Sequence, residues 1–387
     1  MFLCVAVKRC HIRRYATGPR PLSLLSRDAF LASSQNNSRF EQLSKMVLSS
    51  HIKLIPDDHK PIDGDRINSE QTLPRTTDFK SHEDLSNVPS WRRTPTLWIR
   101  VGKKLIRLYR DSVVYTFKLH RSAPRISLPK LLQQLELGDA KSEPLPSRKS
   151  FVENAVRVKE FRKIPVFILC LIVFEELTAV LMYIWPQIAI HRCLGIKGFR
   201  KISKKFARKD MDLAKHPQYK TAYTLNRHQK LELLNSLFAN KTPRWKFNLW
   251  AKFQVADKLE QEICKTLQYL IIDDSLLLKE ITSEKKLALT YNELVNCILE
   301  RQLYETHEDL NEMVNDPKTR QVLLWRLVSY LSFRFDGVLT PVSNISGSEG
   351  KTFTTKWGVN NVALLNYPGT TPTLIQLDHL PLLTESN

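Results

Sequence analysis

The chain has 387 residues, room for one or two domains with a real core, and 59 Lys and Arg against 39 Asp and Glu leave a formal charge of +20. That balance argues against a generic soluble enzyme and favours anionic partners, either nucleic acid or an acidic membrane surface. The six cysteines (Cys4, Cys10, Cys170, Cys193, Cys264, Cys297) never fall as C-x-x-C, which excludes a zinc module or a dense disulfide framework.

In chain order, residues 1–27 contain no acid, while Lys8, Arg9, Arg13, Arg14, Arg20 and Arg27 alternate with Phe2, Leu3, Val5, Val7 and Ile12. An Arg-rich, acid-free, amphipathic start is the mark of a mitochondrial presequence, and RRYAT places its cleavage after Tyr15. Residues 28–93 turn polar without a sustained period and read as a linker with little packed structure. A premembrane helical region, 94–163, follows. Pro95 suits the first position of a helix whose Trp98, Val101, Leu105 and Leu108 share one face. A second helix is expected over Leu128 to Leu137, then a polar helix from Phe151 into Lys163.

Residues 164–190, IPVFILCLIVFEELTAVLMYIWPQIAI, hold no basic residue, and their only charges are Glu175 and Glu176. Roughly 20 apolar residues of helix cross a bilayer, so the run predicts one transmembrane helix. It also splits at the glutamates into Ile164 to Phe174 and Leu177 to Ile190, either of which fits a buried core helix. As function, the glutamate pair would bind or relay cations or protons. A single span encloses no pathway, so that role requires a homo-oligomer.

From 191 to 215 the chain is strongly basic. Lys197, Arg200, Lys201, Lys204, Lys205 and Arg208 recur at helical spacing, with Ile196, Phe199, Ile202 and Phe206 on another stripe. Such a cationic juxtamembrane helix suits anionic lipid, at about 1 kcal/mol per basic residue near the surface. It equally suits the phosphate backbone of a ribosome surface.

Residues 216–335 read as a helical domain. Val255, Leu259, Ile263, Leu267 and Leu270 form one stripe, and Asp273 or Asp274 is placed to cap a short turn holding Leu276 to Leu278. Thr290 and Glu293 have capping-box spacing, and Asp316-Pro317 opens a last helix that buries Leu324, Leu327, Val328, Leu331 and Phe335. Arg244, Trp245 and Lys246 offer a secondary contact for bases or a membrane interface, against a plainer reading in which Trp250 and Phe253 are core. Residues 336–387 read as an irregular tail. No phosphate-loop, dinucleotide, zinc-protease or nucleophile-elbow string occurs. His191-Arg192-Cys193 lacks a second ligand pair, and Asp273-Asp274 with Glu280 lacks a calcium loop. No catalytic residue, cofactor or metal is assigned.

The order of features from Trp98 to Phe335 resembles the LETM family, the leucine-zipper/EF-hand-containing transmembrane proteins of the mitochondrial inner membrane. The likeness rests on LPSRKSF at Leu145 to Phe151, KIPVF at Lys163 to Phe167, the Glu175/Glu176 pair and Trp185-Pro186. Further on it rests on IIDDSLLLKE from Ile271, LTYNEL from Leu289, Glu300-Arg301 and LLWRLVSYL from Leu323. Ile281 and Gln302 stand where the family has glycine, and no EF-hand follows. The resemblance implies a ribosome-binding-like domain, attachment of the mitochondrial ribosome, support for newly made inner-membrane proteins, and potassium/proton exchange.

The sequence therefore leads to an all-α, nonenzymatic protein with a single transmembrane helix followed by a basic helical matrix domain. Its expected partners are the mitochondrial ribosome through the large subunit, anionic inner-membrane lipid, and nascent membrane proteins. The rival reading is cation exchange through Glu175 or Glu176.

Overall fold

The computed structural model describes residues 37–56, 84–122, 125–137, 145–174, 181, 184–208, 225–240, 242–253, 255–283, 286–334 and 375–384. The expected presequence, residues 1–27, lies outside them, as do Glu175, Glu176 and Phe335. The described chain is mostly helical, as the periodicity implies, with one departure from all-α: a two-stranded parallel pair, β1 (Ile52–Ile55) and β2 (Leu287–Thr290), in register from Ile52 opposite Leu287 to Ile55 opposite Thr290.

That pair corrects the reading of 28–93 as an unpacked linker. Asn37 caps helix α1 (Ser38–Leu48), its Oδ1 accepting the N–H groups of Arg39 and Phe40 at 3.0 Å. Phe40 and Leu43 are buried in the core of the C-terminal helices, with the Phe40 ring 6.1 Å from that of Trp325. A polar stretch hides this packing because only a few apolar residues carry it.

Helix α2 (Ser90–Ser122) is longer than Pro95 at a first position would allow. Pro95 lies inside it, in the second turn, where it removes the backbone bond that an N–H would give to the Trp91 carbonyl. Helix α3 (Leu128–Leu137) falls where the sequence places it. Helix α4 (Arg148–Phe161) is capped by Ser147 and leads into α5 (Ile164–Phe174). A short 3₁₀ turn, His191–Cys193, precedes α6 (Ile196–Phe206), and α7 (Arg227–Ser236) and α8 (Arg244–Lys252) follow.

Helix α9 (Ala256–Ile281) runs unbroken through Asp273 and Asp274, so neither is a cap. Its first half buries Leu259, Ile263, Leu267 and Leu270 in a core shared with α3, α4, α7 and α8. Its end buries Leu277 and Ile281 in a second core, built by α1, α6, α10 (Tyr291–Arg301), α11 (Leu310–Asn315) and α12 (Pro317–Arg334). Each such side chain contributes about 1.5–3 kcal/mol on burial. The Thr290–Glu293 capping box is complete. Asp316 accepts the Thr319 N–H at 2.9 Å and opens α12, whose Leu324, Leu327, Val328 and Leu331 are buried as read. The tail is not wholly irregular. Ile375 and Leu383, before and within α13 (Leu380–Thr384), are buried, and the Ile375 carbonyl accepts from Arg326 Nε at 3.0 Å.

Candidate functional site

Helix α6 begins after Gly195 and carries two faces. Phe199 and Ile202 are buried in the second core, while Lys197, Arg200, Lys201, Lys204 and Lys205 are exposed. The core takes up the apolar stripe, so α6 does not lie with that stripe in lipid, and what it presents outward is cationic. Arg200 is engaged within the protein, with Nε 2.8 Å from Asp309 and Nη2 3.5 Å from Glu312. Lys201 Nζ donates to the Ile184 carbonyl at 2.7 Å. Arg208 is half-buried, and its backbone N–H donates to the Tyr304 carbonyl at 3.0 Å. Gln302 holds the end of α6. It takes a left-handed φ of 56°, and its Nε2 donates to the carbonyls of Phe206 at 2.8 Å and Ser236 at 2.6 Å.

The second contact separates into two parts. The Arg244 guanidinium stacks 4.6 Å over Phe206 and donates to the Asn235 carbonyl, so it is chiefly a packing group. Trp245 is exposed, with Lys246 Nζ 5.5 Å from its ring. Trp250 is half-buried as the plainer reading has it, but Phe253 is exposed and Phe247 takes the core position instead.

The apolar run 164–190 departs most from expectation. Ile164, Phe167, Ala189 and Ile190 are all buried in one core. Lys163 Nζ donates to the Ala189 carbonyl at 3.2 Å, and the His191 backbone N–H donates to Glu160 Oε2 at 2.7 Å. A straight helix of this length would separate its ends by about 40 Å. The run leaves and rejoins the same place, so a single transmembrane helix over 164–190 is not what forms. Among the described residues no helix is long and apolar enough to cross a membrane. The described part of the first fragment is α5, and residues 175–180 and 182–183 lie outside the described residues. On α5, Val166, Leu169, Ile172 and Val173 are exposed, as are Ile184 and Trp185 on the return.

Behind this lies a polar interior that the sequence reading missed. Arg148 Nε pairs with Asp273 Oδ1 at 2.7 Å, and Arg301 pairs with Asp273 and, at 2.8 Å, with Asp274. Tyr330 Oη donates to Asp274 Oδ2 at 2.9 Å. The two cations and two anions balance and lock α4, α9, α10 and α12 together. Burial opposes ionisation of Asp273, but the two guanidinium groups overcome it and hold its carboxyl below the usual range. Removing one partner of such a set costs about 3–5 kcal/mol.

Beside the quartet a cavity of about 40 Å³ is lined by Lys159, Glu160, His191, Tyr269, Asn296 and Glu300 among apolar neighbours. Burial, reinforced by Lys163, brings Lys159 down to about 8, and burial brings His191 down to about 4. Lys163 and His191 outweigh burial at Glu160 and lower it, whereas burial and the nearby Asp273 raise Glu300, which accepts from Tyr269 Oη at 3.1 Å. The cavity suits ordered water and proton sharing. Among the described residues no group of three or more His, Cys, Asp or Glu is placed to hold a metal.

A mostly helical, strongly basic protein with exposed apolar residues on α5 and a cationic helix, α6, is the class that fold and surface define. The chain belongs to the pentamidine resistance factor family: the model of the pentamidine resistance factor domain matches residues 67–282. It is 29% identical over 384 residues, covering 86% of this chain and 89% of the relative, to "Pentamidine resistance factor, mitochondrial" of Saccharomyces cerevisiae. No solved structure matches. These findings overturn the LETM resemblance: its short strings fall on capping boxes, helix interiors and apolar runs that unrelated helical proteins share. The mitochondrial location read from the leader agrees with the relative's name.

Proposed function

We propose that this mitochondrial protein is attached to the inner membrane by its apolar run, and that α6 binds the mitochondrial ribosome, bringing newly made inner-membrane proteins to their site of insertion. The observation that carries the reading is the division of labour in α6. With Phe199 and Ile202 taken by the core, the exposed Lys197, Lys201, Lys204 and Lys205 act through charge alone, as a contact with a phosphate backbone requires. The apolar segment rejoins the core next to this helix, through Lys201 and the Ile184 carbonyl, so polyanion and membrane would meet at one place. Exchange of potassium for protons has no comparable support, because it rested on the LETM likeness and on glutamates outside the described residues.

The test is sedimentation of the detergent-solubilised full chain with mitochondrial ribosomes over a salt series. Comigration with the large subunit that fades as salt rises is expected. Replacing Lys197, Lys201, Lys204 and Lys205 by Ser should flatten the logarithmic salt dependence by roughly three units. Equal sedimentation of wild type and variant at every salt would remove the proposal.

A further inference from the structure

We infer that the outward side of helix α2 lies along the surface of an anionic bilayer, its exposed isoleucines and tryptophans in the interface and its Arg and Lys row on the headgroups. This rests on the membrane attachment proposed above, but on a different element from the apolar run. Three observations carry it.

The first is that the inward side of α2 is already occupied. Leu108, Ser112 and Leu119 are buried, and aromatic rings fix the helix to its neighbours. Tyr109 meets Phe167 edge-on at 5.6 Å, and Phe117 meets Phe161 edge-on at 5.5 Å. The protein core takes its apolar side chains from this side alone.

The second is that large apolar residues stand outward all the same. Ile99 and Ile106 lie one above the other across two turns of helix, and they are 59% and 65% exposed. Trp91 and Trp98 fall on the face that carries Tyr109 further along. At Tyr109 that face is buried in protein; at the two tryptophans it has run past its support, and both rings are exposed. Exposed apolar residues scattered singly are ordinary, whereas a strip of this kind marks a contact.

The third is charge. Ser90–Ser122 holds nine Lys and Arg and a single acid, Asp111. Lys103, Arg107 and Arg110 are exposed along the flank next to Ile99 and Ile106, and the Arg92 guanidinium lies 4.2 Å over the Trp91 ring. A nucleic-acid backbone would answer the cations and leave the isoleucines in water. A bilayer of anionic lipid answers both, because headgroups and acyl chains lie side by side within the width of one helix. Tryptophan is the side chain that most favours that boundary.

The experiment adds purified full chain to preformed vesicles of phosphatidylcholine, with or without phosphatidylglycerol, whose acyl chains are brominated near the carbonyl end and quench tryptophan fluorescence. Wild type is compared with Trp91→Phe/Trp98→Phe, which reports α2, and with Trp185→Phe, which reports the apolar run. All three positions are exposed, so the melting transition should not move. Quenching that grows with phosphatidylglycerol and is largely lost in the α2 variant is expected. Ile99→Asp/Ile106→Asp should abolish the same part of the signal, and Lys103→Ser/Arg107→Ser/Arg110→Ser should abolish its dependence on the anionic lipid. Quenching that survives in full without Trp91 and Trp98 overturns the inference, as does an α2 that a second copy of the chain shields from lipid of any composition. Loss of quenching confined to Trp185→Phe would overturn it while leaving the attachment through the apolar run intact, and no quenching in any vesicle would remove both.

Discussion

Helices α5 and α6 follow one another in the chain and pack into the same core, yet they dispose of their apolar side chains in opposite ways. In α6 the apolar residues are segregated to one stripe, so a protein core can take them and leave lysines in water. In α5 they surround the helix, the core takes only the Ile164 and Phe167 side, and the rest is left uncovered. What decides is the arrangement of apolar residues around the axis rather than their number.

That contrast can be broken at either helix. Phe199→Ala should remove about 3–5 kcal/mol from the unfolding free energy measured by denaturant titration, since the ring is fully buried. Ile172→Ala on α5 should change it by less than about 0.5 kcal/mol in detergent, because the side chain touches little protein. Equal losses would mean that α5 is covered in the folded chain.

A smaller effect tests the root that joins the two helices. His191 titrates near 4 in the folded protein and near its ordinary 6.5 when unfolded, so the unfolded chain binds more protons between those values. Stability should therefore rise by about 2.5 kcal/mol from pH 4 to pH 6.5 on this account alone. Glu160, held below its ordinary value by Lys163 and His191, acts in the same direction, losing its contribution as the pH falls. His191→Gln should flatten the profile over that window in thermal melts, and an unchanged profile would assign the acid sensitivity elsewhere.

The smallest effect is at Gln302. Glycine there relieves the left-handed φ, worth about 1 kcal/mol, but loses two hydrogen bonds of similar individual worth. Gln302→Gly should be destabilising by about 1 kcal/mol or less, and amide exchange should quicken at the end of α6.

The parts of this molecule legible from sequence are those whose cause is local. The Thr290 capping box, the Asp316-Pro317 start, the α3 boundaries and the buried stripes of α9 and α12 are each written within a few turns of chain. The parts that misled have their cause elsewhere. Asp273 and Asp274 look like caps until Arg148 and Arg301 are brought to them from other helices. The apolar run looks like one span because nothing within it announces that Glu160 and Lys163 reach across to His191 and Ala189. Of the basic residues, their presence on an outward face of α6 was readable, but the engagement of Arg200 by Asp309 and Glu312 was not.

The pairing of β1 with β2 sets an order of assembly. Ile52 and Leu287 are neighbours in space but far apart in the chain, so closing that contact carries the entropy of a very long loop. A chain that emerges N-terminus first carries α1 and β1 without partners until β2 and α12 have followed. The N-terminal segment is then fastened late, as a clasp that can close only once β2 and α12 are in place.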